Sequence, residues 1–416
     1  MDRTCALLVI AGALSAVGSG AAGQTHLYDR EYPDIHYLRS EAADPVARLG
    51  RQLAVGERTL AWDTERGYLP ALLDALGIPV SSQVLVFSRT SLQADHISAA
   101  TPRALYFSDD VYVAWVPGSD VLEIAALDPR LGPVFYLLPQ QREGGARAAR
   151  QNDLCLQCHD TYSLGGGGVP RFLIGSGPTL RSGVSAGHGS WLLTTPRTPV
   201  EHRWGGWFVT GRAEGLRHGG NVARAPTGEA VSLLPSALPP DLTGGPMSEV
   251  PYLGAHSDVV ALLVLEHQLH VQNLITRAAW EARGGGPSEA PARLDRAVRE
   301  LVAALTFTGD AGLPVPVQGT SGFASAFAGR GPADGQGRTL RALDLETRVF
   351  RYPLSWQIQS EAFRALPDGI RDRVYAGVTE ALEGRGPGAA DAAVAALEVL
   401  SATSPDYRDW KGRQLR

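Results

Sequence analysis

The segment RALYFSDDVYVAWVPGSDVLEIAALDPRLGPVFYLL, residues 103–138, decides the fold of the N-terminal half. It contains four short runs rich in Val, Tyr, Phe and Trp, and Pro, Gly or Asp residues separate each run from the next. Branched and aromatic side chains favour strands, whereas Pro, Gly and Asp favour tight turns. A further run, QVLVFS at residues 83–88, precedes them. The pattern predicts consecutive strands with hairpin-like connections.

The composition is that of a globular protein. Of the 416 residues, 44% are hydrophobic and 19% are charged, so the chain can bury a sizeable core in two or three average domains or one large one. The formal net charge is −5 and no long basic run is present. These features argue against a nucleic-acid partner and against docking on an anionic membrane surface.

The N-terminal segment differs in composition from the rest of the chain. A short head precedes an apolar run from Ala6 to Val17, and small residues follow from Ser19 to Gly23. This layout predicts a signal peptide over residues 1–23 and therefore an exported, periplasmic protein. The alternative is an uncleaved N-terminal anchor, although the run is short for a spanning helix of about 20 residues. We expect no membrane span once the signal is removed.

The remaining chain divides into three regions. Residues 24–140 are β-rich, residues 141–255 are loop-like and rich in Gly and Pro, and residues 256–416 have helical periodicity. The longest apolar stripe at helical spacing consists of Val260, Leu263, Val264, His267, Val271, Leu274 and Ile275. Ser257 is its expected N-cap. The sequence therefore predicts an α+β fold, β-rich in its N-terminal half, loop-rich in the middle and helical in its C-terminal half, in which the regions can form one compact unit.

The motif CLQCH, residues 155–159, lies inside the loop-like region. Cys155 and Cys158 are the only cysteines left once Cys5 is removed with the signal, so they do not form a disulfide scaffold. The pattern C-x-x-C-H is typical of c-type haem attachment, in which two thiols bind the haem vinyl groups and the histidine binds the iron. A redox dithiol and a Cys₂His₂ zinc site are the alternatives. The first normally follows a strand in a βαβ unit, and the second needs two more ligands.

One covalently attached haem c is therefore the predicted cofactor, with Cys155, Cys158 and His159 as its binding residues and residues 141–255 as the haem-binding region. His159 is the expected proximal ligand of the iron. Two residues are candidates for the distal ligand: His218, which has two glycines behind it, and Met247, the weaker candidate, in a Pro- and Gly-rich loop.

Other residues have a smaller claim on the cofactor. His188 also has Gly neighbours. His267 and His270 share one helix face beside Glu266. This spacing is found in metal sites, but a histidine on an apolar stripe can equally be a core residue. Side chains that could pack on the haem edge or pair with its propionates are Trp204, Trp207, Arg203, Arg212 and Arg217.

Several segments resemble a group of exported bacterial cytochrome c domain-containing proteins. The resemblance rests on the strand-rich run from residue 83 to 136, on CLQCH, on RWGGWFVTG with RHGGN, and on SDVVALLVLEHQLHVQNLITRA and FRALPDGIRDRVY. It covers most of the mature chain. It implies export, one covalently bound haem and electron transfer, and only Cys155, Cys158 and His159 carry over as binding residues. Relatives carry Met or Leu where this chain has Gly219.

We expect a periplasmic monohaem cytochrome that exchanges single electrons with a redox partner protein. A haem motif needs much less chain than 416 residues. A haem-dependent, peroxidase-like oxidoreductase and a haem-based sensor are therefore alternatives, and catalytic residues cannot be assigned.

Overall fold

The computed structural model describes residues 30–31, 34–160, 168–187, 191–247, 249–284, 290–414 and 416. The predicted signal peptide and His188 lie outside the described residues. The predicted fold class is confirmed, because an antiparallel sheet occupies the N-terminal half and helices occupy most of the C-terminal half.

The strands are short and are numbered in chain order. They are β1 (Val84–Val86), β2 (Arg103–Phe107), β3 (Val111–Trp115), β4 (Val121–Asp128), β5 (Gly132–Pro139), β6 (Ala149–Arg150), β7 (Gly175–Ser176), β8 (Leu192–Leu193), β9 (Trp207–Phe208), β10 (Val222–Arg224) and β11 (Ala230–Ser232). Seven of them form one sheet in the order β6-β5-β4-β3-β2-β1-β9. Strands β1 to β6 pair with their chain neighbours, which confirms the hairpin-like connections predicted for residues 103–138.

Successive strand residues face opposite layers of the molecule, as the two-residue period of a strand requires. Tyr106 packs with the N-terminal helices and the outer face of the sheet, whereas Phe107 packs with the C-terminal helical layer. Both side chains are buried. The sheet is therefore covered on both faces.

The helices are also numbered in chain order. They are α1 (Pro45–Ala54), α2 (Leu69–Ala75), α3 (Leu156–His159), α4 (Val259–Arg283), α5 (Ala290–Leu305), α6 (Phe323–Ala328), α7 (Glu361–Arg364), α8 (Asp368–Glu383), α9 (Pro387–Thr403) and α10 (Pro405–Gln414). None of the helices within the described ranges combines the length and the apolarity that crossing a membrane requires.

The N-cap of helix α4 lies one residue later in the sequence than expected. Asp258, not Ser257, is the N-cap, and its carboxylate accepts from the N–H groups of Val260 and Ala261. The Ser257 hydroxyl instead donates to the carbonyl of Phe208. The stronger acceptor thus caps the helix, and the serine ties its start to β9.

Helix α4 is buried on almost every side, although the sequence predicts a single apolar stripe. Its polar side chains bond to the hairpins of the sheet: Gln268 donates to the carbonyl of Ser108 at 2.7 Å, and Gln272 to that of Asp109 at 2.6 Å. Trp280 donates to Leu131 at the β4–β5 turn. The helix therefore lies across one sheet face and is fixed at two turns.

The β4–β5 turn depends on a glycine. Gly132 has φ +82°, and a Cβ there would lie 2.3 Å from Thr276 of α4. Only glycine both adopts this conformation without strain and admits the helix so closely. This contact sets the distance between α4 and β5, the strand beside the CLQCH motif.

Candidate haem-attachment site

The CLQCH motif forms a single helical turn at the β6 end of the sheet. Cys155 precedes α3, and its carbonyl accepts from the N–H groups of Cys158 at 3.2 Å and His159 at 3.0 Å. Leu156 is buried in the core and anchors the turn. Because both cysteines and the histidine lie within one turn, a single short segment presents all three groups.

The two cysteines are free thiols. Cys158 is exposed and Cys155 is partly buried. Burial, reinforced by the negative charge of Glu123, raises the pKa of the Cys155 thiol to about 11. A redox-active dithiol has a lowered pKa instead, and here the preceding strand β6 is an edge strand of an antiparallel sheet, not part of a βαβ unit. The redox-dithiol alternative therefore gains no support.

The side chain of His159 is held by one hydrogen bond. Its Nδ1 lies 2.7 Å from the carbonyl oxygen of Arg171, to which it donates. Its ring packs on Phe135 of β5 with ring centroids 4.4 Å apart. No described residue hydrogen-bonds to Nε2. Burial lowers the pKa of His159 to about 4, although the bond to the Arg171 carbonyl opposes the shift.

His159 could bind a metal ion in this arrangement. A ligating histidine must be neutral, and it commonly donates its other ring nitrogen to a carbonyl, which fixes the tautomer and the ring plane. The proton on Nδ1 leaves the lone pair on Nε2. The donor set fits a c-type haem: two free thiols, one exposed and one partly buried, and one imidazole that is neutral and oriented.

The acceptor carbonyl is itself held in place. The N–H of Arg171 donates to the carbonyl of His159 at 2.8 Å, so the two backbones pair in both directions. The next residue, Phe172, forms two hydrogen bonds with the Asn273 side chain of α4, at 2.8 and 2.9 Å. Helix α4 therefore positions His159 through Asn273, Phe172 and Arg171.

Sequence reasoning does not identify Arg171 or Asn273. Asn273 is a polar residue in an apolar helix, but the sequence does not indicate that its partner lies 101 residues earlier. Arg171 acts on His159 through its backbone carbonyl, which any residue type could supply. A zinc site finds no support either, since no three His, Cys, Asp or Glu side chains of the described residues converge on one point.

The two distal-ligand candidates form contacts with residues outside the CLQCH motif. His218 donates from Nε2 to the carbonyl of Ala237 at 3.0 Å, and its Nδ1 accepts from the N–H of Gly220 at 3.1 Å. Met247 is buried in an apolar cluster with Leu234. Among the described residues, no hydrogen bond or ring contact joins either candidate to the CLQCH turn. Their role as distal ligands stays a prediction.

Several other candidates have structural partners. Arg203 is buried and bonds to Glu266 at 2.9 Å. The Trp207 indole donates to the carbonyl of Gly175. His267 bonds to Ser355 at 2.8 Å inside an aromatic cluster, which makes it a core histidine.

The other candidates for haem contact differ in burial: some are exposed, and others are buried or line a cavity. Trp204 is buried, with its ring 5.5 Å from that of His218. Arg212 and Arg217 are exposed. His270 differs from its helix neighbour His267, because it lines a cavity beside Arg171.

No family model, curated protein or solved structure matches the chain.

Proposed function

We propose that the chain is an exported monohaem c-type cytochrome that exchanges single electrons with a redox partner protein. The observation that supports this most directly is the bond between His159 Nδ1 and the Arg171 carbonyl, on a turn that also carries two free thiols. A lone CxxCH motif is a pattern of residue types. A CxxCH whose histidine is neutral and oriented has the chemistry of an iron ligand.

The attachment chemistry needs only the two thiols of the chain and the two vinyl groups of the haem. The Cys155 and Cys158 thiols would each add across one vinyl group of the haem, forming a carbon–sulfur bond while the thiol proton goes to the neighbouring vinyl carbon. No external oxidant is consumed. When bound, the haem supplies a one-electron iron couple. Covalent capture suits an exported protein, from which a free haem could be lost.

The first experiment tests for the cofactor. The full chain is expressed in a host that is competent for haem maturation, with Cys155→Ala/Cys158→Ala as the control. We expect a c-type α-band after reduction and haem that stays with the polypeptide after denaturation. The control should lose both. A correctly matured wild-type protein without covalent haem would overturn the proposal.

A second experiment separates electron transfer from catalysis and sensing. Ferrous protein is exposed to CO, and ferric protein is exposed to peroxide with an electron donor. We expect six-coordinate iron that does not react with CO, together with a reversible one-electron couple. Peroxide turnover would favour the peroxidase-like enzyme instead. CO binding without turnover would favour the sensor.

A further inference from the structure

We propose that the cavity between the segment at residues 169–174 and helix α4 is a carboxylate-binding site. Its volume is about 210 Å³. Residues after β8 complete the wall. The polar groups that line it are Arg171, Thr194, Thr195, His270, Asn273 and Arg277.

Within the described ranges, the two arginines that line this cavity differ in their partners. Arg277 is paired with Glu300 at 2.9 Å. Arg171, by contrast, has no carboxylate partner among the described residues, and its Nε is buried without a hydrogen-bond partner. An unpaired, partly buried guanidinium with unused donors favours an anion, and its planar fork matches a carboxylate.

His270 lines the same cavity as Arg171. Burial, Arg197 and Arg171 together lower its pKa to about 4. No described residue hydrogen-bonds to its ring. Neutral at physiological pH, it can donate one N–H to an oxygen beside Arg171 without a second charge.

The rest of the lining restricts the kind of anion. The apolar wall consists of Val169, Phe172, Ile174, Leu193, Leu269 and Leu274. The volume is below the roughly 300 Å³ at which sites for drug-sized ligands begin. A short carboxylate with a small apolar body fits both the size and the wall better than inorganic phosphate does.

Two sources could supply such a carboxylate. One is a free short-chain acid, and the other is a propionate of the haem, an option that rests on the proposed function. In both cases the guanidinium of Arg171 would bind the carboxylate, while the backbone carbonyl of Arg171 holds His159. The two sources predict different results in haem-loaded protein.

The test is calorimetric titration of the purified full chain with butyrate, and with inorganic phosphate as the comparison, at constant ionic strength. If the source is a free acid, butyrate binds saturably and more tightly than phosphate, and Arg171→Gln weakens binding at least tenfold. Arg171→Lys should recover part of the affinity. Arg351→Gln, which removes an exposed arginine elsewhere, should change nothing. Leu274→Phe, which fills the cavity and leaves Arg171 intact, should also block binding.

If the source is a propionate, haem-loaded wild-type protein does not bind butyrate. Arg171→Gln then shifts the pH at which the reduction potential changes slope, and Arg171→Lys shifts it less. The proposal is overturned if wild-type protein does not bind butyrate and Arg171→Gln does not shift the pH dependence of the reduction potential. It is also overturned if Arg171→Gln and Arg351→Gln have equal effects. The butyrate arm gives a result even when no haem is attached, so failure of the proposed function is recognised separately.

Discussion

His159 and Arg171 are joined in both directions: the imidazole donates to the Arg171 carbonyl at 2.7 Å, and the Arg171 N–H donates to the His159 carbonyl at 2.8 Å. The bond from the imidazole fixes the ring plane, and the backbone bond holds its acceptor in place. Asn273 extends this link to α4 through the backbone of Phe172. A change in the core can therefore reach the proposed iron ligand.

The first prediction concerns Asn273→Ala. It removes two hydrogen bonds to Phe172, and we expect a loss of about 1–3 kcal/mol in the free energy of unfolding. A looser Arg171 carbonyl makes His159 a weaker donor, so the reduction potential should rise. Urea unfolding and a spectroelectrochemical titration measure the two effects.

Asn273→Asp is the matched control for this effect. An aspartate can still accept from the Phe172 N–H but can no longer donate to the Phe172 carbonyl. Its potential should lie between those of the wild type and Asn273→Ala. An unchanged potential in Asn273→Ala would show that the link to α4 does not reach the iron.

The second prediction concerns the distal ligand. Both ring nitrogens of His218 are engaged, with Ala237 and Gly220. To bind the iron, His218 would have to leave one of these bonds. Because His218 is the leading distal candidate, we expect His218→Ala to convert the oxidised EPR spectrum from low-spin to high-spin. Met247→Leu, which keeps the apolar volume, should leave the spectrum low-spin. A switch to high-spin iron in either variant would identify that residue as the distal ligand.

The third prediction is a pH dependence at Asp110, in the turn between β2 and β3. Burial, with the negative charges of Asp109 and Glu361, raises its pKa to about 7, while Arg341 and Arg48 oppose the shift. A carboxyl with a raised folded-state pKa stabilises the fold below its unfolded pKa, near 4. That contribution is lost as the pH rises to 7.

We expect the free energy of unfolding to fall between pH 5 and pH 8 by roughly 1–3 kcal/mol through this group. Asp110→Asn mimics the protonated form and should remove this part of the dependence. Urea unfolding of both proteins at the two pH values checks it. Parallel pH profiles for wild type and variant would rule Asp110 out.

The fold could be predicted from local pattern, whereas most of the site could not. Alternation and turn residues within 103–138 specify strands because each strand pairs with its chain neighbour. CLQCH is a local signal too. The residues that position His159 are not local to this motif, because Asn273 contacts Phe172 only after α4 has packed across the sheet.

The hydrophobic pattern of the sequence also does not predict which polar residues are buried. The apolar stripe on α4 is real, yet Glu266 and Gln268, outside the stripe, are buried as well. Their hydrogen-bond partners come from distant segments, so the sequence gives no reason to place them inside.

The last prediction compares two Arg–Glu pairs with the same N···O distance of 2.9 Å. In the Arg203–Glu266 pair the side chains are 4% and 1% exposed, whereas in the Arg277–Glu300 pair they are 33% and 39% exposed. Glu266→Gln removes the carboxylate that is paired with the buried Arg203 side chain, and we expect a loss of about 3–5 kcal/mol. Glu300→Gln should cost about 0–1 kcal/mol, because water and salt screen that pair.

Denaturant unfolding of both variants measures the difference, and 0.5 M salt should change the stability difference only for Glu300→Gln. Arg203 also donates to the carbonyls of Thr198 and Pro196, so it stays in place when Glu266 is neutralised. The cost therefore reports a buried charge and not a rearranged loop. Equal losses in the two variants would mean that the Arg203 charge is compensated by its carbonyl partners alone.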